Sequence, residues 1–138
     1  MDVTTYLTFA GDCEAAFRFY EQHLGAKVGE LFRYGDTPAA AQAPPNWKDK
    51  VMHGNITIGG QRFMAADVTP DKFERPAGFS LSIQLSDVAE AERIFKTLSA
   101  GGKVVMPLEK TFWAARFGML VDRFGIRWLV NCDEAQPE

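Results

Sequence analysis

The stretch TFWAARFGMLVDRFGIRWLVN, residues 111–131, decides how the chain is read. It gathers two tryptophans, three phenylalanines, three arginines and one aspartate around a single turn, Arg123-Phe124-Gly125. Met119, Leu120 and Val121 lead into that turn, and Ile126, Trp128 and Val130 lead out. Glycine takes positive φ at little cost, so two alternating apolar runs flanking it read as a β-hairpin. Two accounts of the hairpin stand. It closes a hydrophobic core, or it closes a core and also walls a cleft.

Working outward, 138 residues suffice for one domain with a real core. The apolar share is 46% and the charged share 24%, ordinary for a globular protein. Net charge is −3 with no Lys/Arg cluster, which argues against dedicated nucleic-acid binding. No apolar run approaches the ~18 residues of a membrane span. The start, Met1 to Thr5, has neither a basic region nor a long apolar one, so no secretory signal is read and a cytoplasmic location is expected. Cys13 and Cys132 belong to no CxxC pair and fit a reducing compartment. Both are expected to be buried or inert thiols, although Cys13 stands near a helix start, where reactivity is sometimes raised.

Thr4–Phe9 reads as a strand, then Asp12 as the N-cap of a helix with Cys13, Ala16, Phe17, Tyr20 and Leu24 on one face and Gly25 as its stop. Lys27–Tyr34 reads as a second strand. Residues 35–50, rich in alanine and proline, make an irregular excursion, either a surface insertion or a lid, with Trp47 expected to dock. Val51–Ile58 alternates, with Met52, Ile56 and Ile58 on one face and His53, Asn55 and Thr57 on the other. Gly59-Gly60 is a hairpin turn into Gln61–Ala66. Phe79–Leu85 alternates in the same way. Asp87 then opens a helix with Val88, Ala91, Phe95 and Leu98 buried and Gly101-Gly102 at its end. Lys103–Pro107 reads as a strand, and residues 133–138 as a frayed polar tail.

This order repeats. Asp12 and Asp87, Ala16 and Ala91, and Tyr20 and Phe95 are each 75 residues apart; Gly60 and Gly125, Arg62 and Arg127, and Phe63 and Trp128 are each 65 apart. A duplicated strand–helix–three-strand unit explains both spacings, because the first copy carries the longer loop. The fold class expected is α+β: two tandem βαβββ modules, over about 1–68 and 78–132, whose curved mixed sheets surround a cleft.

Three segments carry a resemblance to a known family: DCEAAFRFY at 12–20, KVMHGNITI at 50–58 and MPLEKTFWAARFGMLVDRFG at 106–125. The chain resembles the vicinal-oxygen-chelate (glyoxalase/bleomycin-resistance/dioxygenase) superfamily, and within it the PhnB-like branch labelled "3-demethylubiquinone-9 3-methyltransferase-like". The resemblance implies the glyoxalase-like fold and a homodimer. In metal-using members it implies one ligand from the first and last strand of each module. Carried over, those positions are Thr5, Met64, Ser80 and Leu129. Two hydroxyls, a thioether and an alkyl group do not hold a hard or borderline divalent ion, so no metal and no other cofactor is expected.

For ligand contact, the face of His53 and Asn55 would line the cleft. His53 is either a hydrogen-bonded structural histidine, a ligand-facing acid/base group or, least favoured, a metal ligand. Ser80, Ser82 and Gln84 would face inward together, as would Arg127 and Asn131, with Phe79, Leu81, Ile83, Ile126, Trp128 and Val130 packed under the helices. Between strands, Trp113 would offer a flat wall and Arg116 would grip an anion, or else pair with Glu109 or Asp122 as a brace. Glu109 would serve as a general base if burial raised its pKa.

The expected function is therefore binding of a small polar molecule in a metal-free cleft, with His53 and Glu109 as catalytic candidates. Asn55, Ser80, Ser82, Trp113, Arg116, Arg127 and Asn131 are the binding candidates. The alternative is a module that sequesters an antibiotic or toxin, as bleomycin-resistance proteins do. A methyltransferase is disfavoured, because the usual S-adenosylmethionine fold needs alternating strands and helices with a Gly-rich first turn. No nucleic-acid or membrane partner is expected.

Overall fold

The computed structural model describes residues 1–133; the remainder of the expected polar tail, 134–138, lies outside the described residues. The chain forms two compact units, Met1–Glu74 and the residues from Arg75 onward. No helix among the described residues is long and apolar enough to cross a membrane.

The first unit runs β1 (Thr5–Phe9), α1 (Cys13–Leu24), β2 (Lys27–Arg33), β3 (Val51–Ile58) and β4 (Gln61–Asp67). The second runs β5 (Leu81–Leu85), α2 (Val88–Ser99), β6 (Lys103–Glu109), β7 (Ala114–Val121) and β8 (Arg127–Asp133). Sheet order is β1-β4-β3-β2 in one and β5-β8-β7-β6 in the other. In both, the outer first strand lies parallel to its neighbour and every other pairing is antiparallel. The expected α+β duplication is the observed architecture. Register shifts in β2 and β6 mark irregular edge strands, and β6 accommodates Pro107 because an edge leaves one side of the ladder unpaired.

Alternation decides which face meets each helix. Leu7, Phe9, Ile56 and Ala65 are buried on the α1 side with Ala16, Phe17 and Tyr20. Ala91, Phe95 and Leu98 of α2 pack on its sheet, where Leu120, Trp128 and Val130 are buried. Gly59 and Gly60, with φ of 56° and 82°, make the two-residue turn.

Several local expectations are corrected. Asp12 makes no side-chain cap bond to α1. Asp67, at the end of β4, takes that duty: its Oδ1 accepts from Gly11 N at 3.0 Å and Cys13 N at 2.9 Å, and its Oδ2 from Val51 N at 2.9 Å. One fully buried carboxylate thus collects three backbone donors from two segments. In the second unit Asp122 braces the β7–β8 hairpin, accepting from Phe124 N, Ile126 N and Trp128 Nε1 at 2.8–3.0 Å. Asp87 does cap α2, accepting from Ala89 N and Glu90 N. That helix ends at Ser99, with Ala100 as its C-cap just ahead of the glycine pair. Phe79 is exposed and precedes β5 instead of packing under a helix, and β6 runs on past Pro107 to Glu109.

The Ala/Pro excursion is ordered as two short 3-10 turns, Tyr34–Asp36 and Pro38–Gln42. Tyr34 N donates to Lys50 O at 3.0 Å and Gly35 N to Lys48 O at 2.9 Å, which ties its two ends together. Trp47 docks as expected and is 8% exposed.

Candidate functional site

In the first unit, the face turned away from α1 carries the polar candidates. Pairing puts Tyr6, Met64 and Asn55 in one row, and Phe32 opposite His53 in the next. Tyr6 Oη and His53 Nδ1 are 3.2 Å apart, with ring centroids at 5.8 Å. Partial burial, reinforced by Cys13 and Tyr34, holds the Tyr6 phenol above its ordinary pKa, so it is a neutral hydroxyl that can donate. With Tyr6 donating, neutral His53 carries its proton on Nε2. Asn55 lies across β2, where its side chain occupies the space a Cβ at Gly29 would need. His23, on α1, stacks with Phe19 at 4.5 Å.

In the second unit the equivalent face carries Ser82, Gln84, Arg127, Leu129 and Asn131. Asn131 Nδ2 donates to Gln84 Oε1 at 2.9 Å, and Gln84 in turn bonds Ser82. Across the sheet the row continues Gln84, Asn131, Phe117, Glu109. Trp113 stands edge-on to Phe117 at 5.2 Å and is half exposed. Ser82, Asn131, Glu109 and Trp113 therefore share one region. Arg127 is on the same face, two and four residues before Leu129 and Asn131. Ser80 sits just ahead of β5 and makes no strand pair.

Two candidates stand differently from expectation. Arg116 is in β7, opposite buried Cys132, so it belongs to the helix side. Its Nε reaches Glu92 of α2 at 3.3 Å and its Nη1 donates to Ala115 O at 2.7 Å. It thus braces α2, through neither Glu109 nor Asp122. The segment expected to lie between strands is the start of β7, and alternation from Phe117, which pairs with Asn131, turns Arg116 to the face of Gly118 and Leu120. Glu109 is exposed at the end of β6, so the burial that base duty would require is missing there.

The first strands also depart from the expected register, by one residue in the first unit and by two in the second. Thr5 pairs with Phe63, and it is Tyr6 that pairs with Met64. In the second unit Leu81 pairs with Trp128 and Ser82 with Leu129. The residues paired with Met64 and Leu129 are thus Tyr6 and Ser82, in place of Thr5 and Ser80. A phenol, a thioether, a hydroxyl and an alkyl chain still do not fit a borderline divalent ion. Among the described residues no group of three or more His, Cys, Asp or Glu side chains is arranged to hold a metal. Cys13 is no nucleophile candidate: burial, then the nearby Asp67, pushes its thiol far above the ordinary value.

Sequence reasoning left Tyr6 out of the site. Alternation sets Tyr6 and Thr8 against Leu7 and Phe9, but it is the burial of Leu7 and Phe9 in the fold that turns Tyr6 to the site face.

These paired modules define the class: the chain has the glyoxalase fold, shared with a glyoxylase/bleomycin-resistance/dioxygenase domain from Frankia at 15% identity and TM-score 0.65, covering 97% of this chain and 98% of that one. The family model described as 3-demethylubiquinone-9 3-methyltransferase matches residues 1–131, and the chain belongs to that family, the PhnB-like branch of the superfamily. It is similar to protein PA1353 from Pseudomonas aeruginosa, at 44% identity and TM-score 0.85 over 98% of this chain and 99% of that one. A PhnB protein from Bacillus cereus, described as a putative 3-demethylubiquinone-9 3-methyltransferase, matches at 27% identity and TM-score 0.82, covering 96% and 99%. Protein YjdN of Escherichia coli K12 is 34% identical over 99% of both chains.

Proposed function

We propose that this PhnB-like protein binds a small polar molecule at a metal-free site on the helix-free sheet face of its first unit, with His53 as the acid/base group. The observation that carries the reading is the Tyr6–His53 hydrogen bond, on an accessible face that also holds Asn55. A tyrosine hydroxyl that fixes Nδ1 leaves Nε2 as the outward group, which suits donation to a ligand oxygen or proton exchange with it. The corresponding face of the second unit offers neutral donors and acceptors of its own, Ser82, Gln84 and Asn131, so the chemistry there is hydrogen bonding without dense charge. Trp113 and Arg127 extend that surface. In the same reading the protein acts as a homodimer, as the family resemblance implies.

Thermal-shift titration with small polar metabolites, with and without divalent metals, tests this on the wild type, His53→Ala and Tyr6→Phe. The expected result is a metabolite that stabilises the wild type without metal and fails with His53→Ala. Binding unchanged in both variants, or seen only with added metal, would refute it.

A further inference from the structure

On the helix-free face of the first unit, strand pairing builds a row of side chains close to the Gly59-Gly60 turn. Lys27 of β2 lies opposite Thr57 of β3, and Thr57 lies opposite Arg62 of β4. Directly opposed residues turn their side chains to the same face. Thr57 is two residues from Asn55 and four from His53, so the row shares their face. Neighbouring strands stand ~4.8 Å apart, which sets the stems of Lys27 and Arg62 ~10 Å apart with the Thr57 hydroxyl between them. Both side chains are long enough to bring their charged heads together above that hydroxyl. The backbone there is regular, since the register shift in β2 comes only after Val28.

Both cations lack the acid that other arginines of the chain find. Arg33, Arg93 and Arg116 each meet a glutamate. Among the described residues no hydrogen bond or ion pair engages the side chain of Lys27 or Arg62, and both are exposed. Ammonium and guanidinium groups donate and do not accept, so the partner they call for is an anion.

The second unit repeats the row. Lys103 lies opposite Val121 and Val121 opposite Arg127, and again neither cation has a partner among the described residues. Lys27 and Lys103 are 76 residues apart and Arg62 and Arg127 are 65 apart, the spacings of the duplicated unit. Nearby on the same faces the copies have diverged: Tyr6 pairs with Met64 in one, Ser82 with Leu129 in the other. The two cations are kept in both. Within the row the change is Thr57 to Val121, which removes the hydroxyl from the second copy.

We propose that the Lys27–Thr57–Arg62 row binds the oxyanion of a phosphate group, and that the ligand of the first unit's face is a small molecule that carries one. The phosphate oxygens accept from Lys27 Nζ, the Arg62 guanidinium and the Thr57 hydroxyl. Two cations match a dianion better than the single charge of a carboxylate, and the hydroxyl serves a further oxygen. From Thr57 the rest of the molecule crosses Asn55 towards His53, four residues or ~13 Å along β3. That last step rests on the function proposed above for His53; the affinity of the row for phosphate does not. The row of the second unit, without the hydroxyl, is the weaker of the two.

The test titrates the full chain with inorganic phosphate at pH ~7.5, where it is largely dianionic, and with acetate at matched ionic strength. Backbone amides of both units are followed by NMR. Phosphate should move the amides of Lys27, Thr57 and Arg62 along saturable curves, with acetate at least about tenfold weaker. Lys27→Gln and Arg62→Gln should each weaken phosphate about threefold, and the double variant about tenfold. Thr57→Val should bring the row down to the affinity of the second one, and added salt should weaken both. Lys72→Gln, at an exposed lysine outside the row, should change nothing. The substituted side chains are not buried, so the variants should fold as the wild type does. His53→Ala should leave the binding of inorganic phosphate unchanged, which tells a failure of the row from a failure of the His53 site. Phosphate that saturates no amide of the row, binds no better than acetate, or binds the double variant as well as wild type overturns the proposal.

Discussion

Replacing Asp67 tests the claim that a single carboxylate holds the start of α1 and the exit from the excursion. Its two oxygens serve three backbone donors, and the bonds from Cys13 N and Val51 N are fully buried. In Asp67→Asn, Oδ1 would keep Gly11 and Cys13, while the new NH₂ would face the N–H of Val51. One buried donor then loses its acceptor and confronts another donor. Leaving such a group unsatisfied costs about 1–3 kcal/mol, so a loss of ~2 kcal/mol is expected. Asp67→Ala strands both buried donors and should cost ~4 kcal/mol on the same scale. Domain stability is typically about 5–15 kcal/mol, so the alanine variant would be near the edge of folding. Urea unfolding read by circular dichroism should show the midpoint falling at unchanged slope. For a chain of this length, thermal midpoints should drop by roughly 3–5 °C per kcal/mol. An Asp67→Asn protein within ~0.5 kcal/mol of wild type, the range of an ordinary surface change, would refute the reasoning.

Glu14 receives both Nη atoms of Arg33, at 2.8 and 2.9 Å, and that hydrogen bonding holds its carboxyl below the usual range. A depressed folded pKa adds stability above the ordinary glutamate value, near ~4.3, and loses it as pH falls through the folded value. The pair is partly exposed, so solvent screening limits its worth to under ~1 kcal/mol. The stability gap between wild type and Arg33→Met should therefore be flat above pH ~5 and shrink below ~4.5; a gap that persists undiminished to pH ~3 would exclude this account. Gly118→Ala should destabilise by about 1–3 kcal/mol, because the new Cβ would stand 2.7 Å from Phe95 Cε2 and 2.9 Å from Leu108 Cα. Gly25→Ala, where nothing lies within 4 Å of the added carbon, should cost only the strain of its φ of 66°, ~1 kcal/mol; equal losses at the two sites would discount the packing argument.

Much of the fold was legible because it is written in local periods. The stripes of α1 and α2, the Gly59-Gly60 turn and the alternation of β8 each depend on neighbours a few residues away. The repeat extended those local readings across the chain. Long-range pairing was the part that could not be read. Thr5 and Tyr6 both suit a strand, and only the pairing with Phe63 and Met64 tells which faces α1. Arg116 was read as lying between strands, whereas β7 already begins at Ala114 and its alternation turns Arg116 to the helix side. Asp12 had the look of a cap, yet the acceptor came from Asp67, 54 residues from Cys13. Of the site candidates, His53, Asn55, Ser82 and Asn131 were picked by alternation once the family resemblance had said which face lines the cleft. Tyr6 was missed because its partner His53 lies 47 residues away.

The closed base of residues 35–50 has a consequence for how this protein can vary. With Tyr34 and Lys50 already joined in a ladder, the chain between them resembles a cassette clipped into a finished frame. Doubling the length of such a segment costs only about 0.6 kcal/mol of closure entropy. Insert length is therefore open to change with both sheets left as they are, provided that Trp47 keeps its buried place beside Gly11.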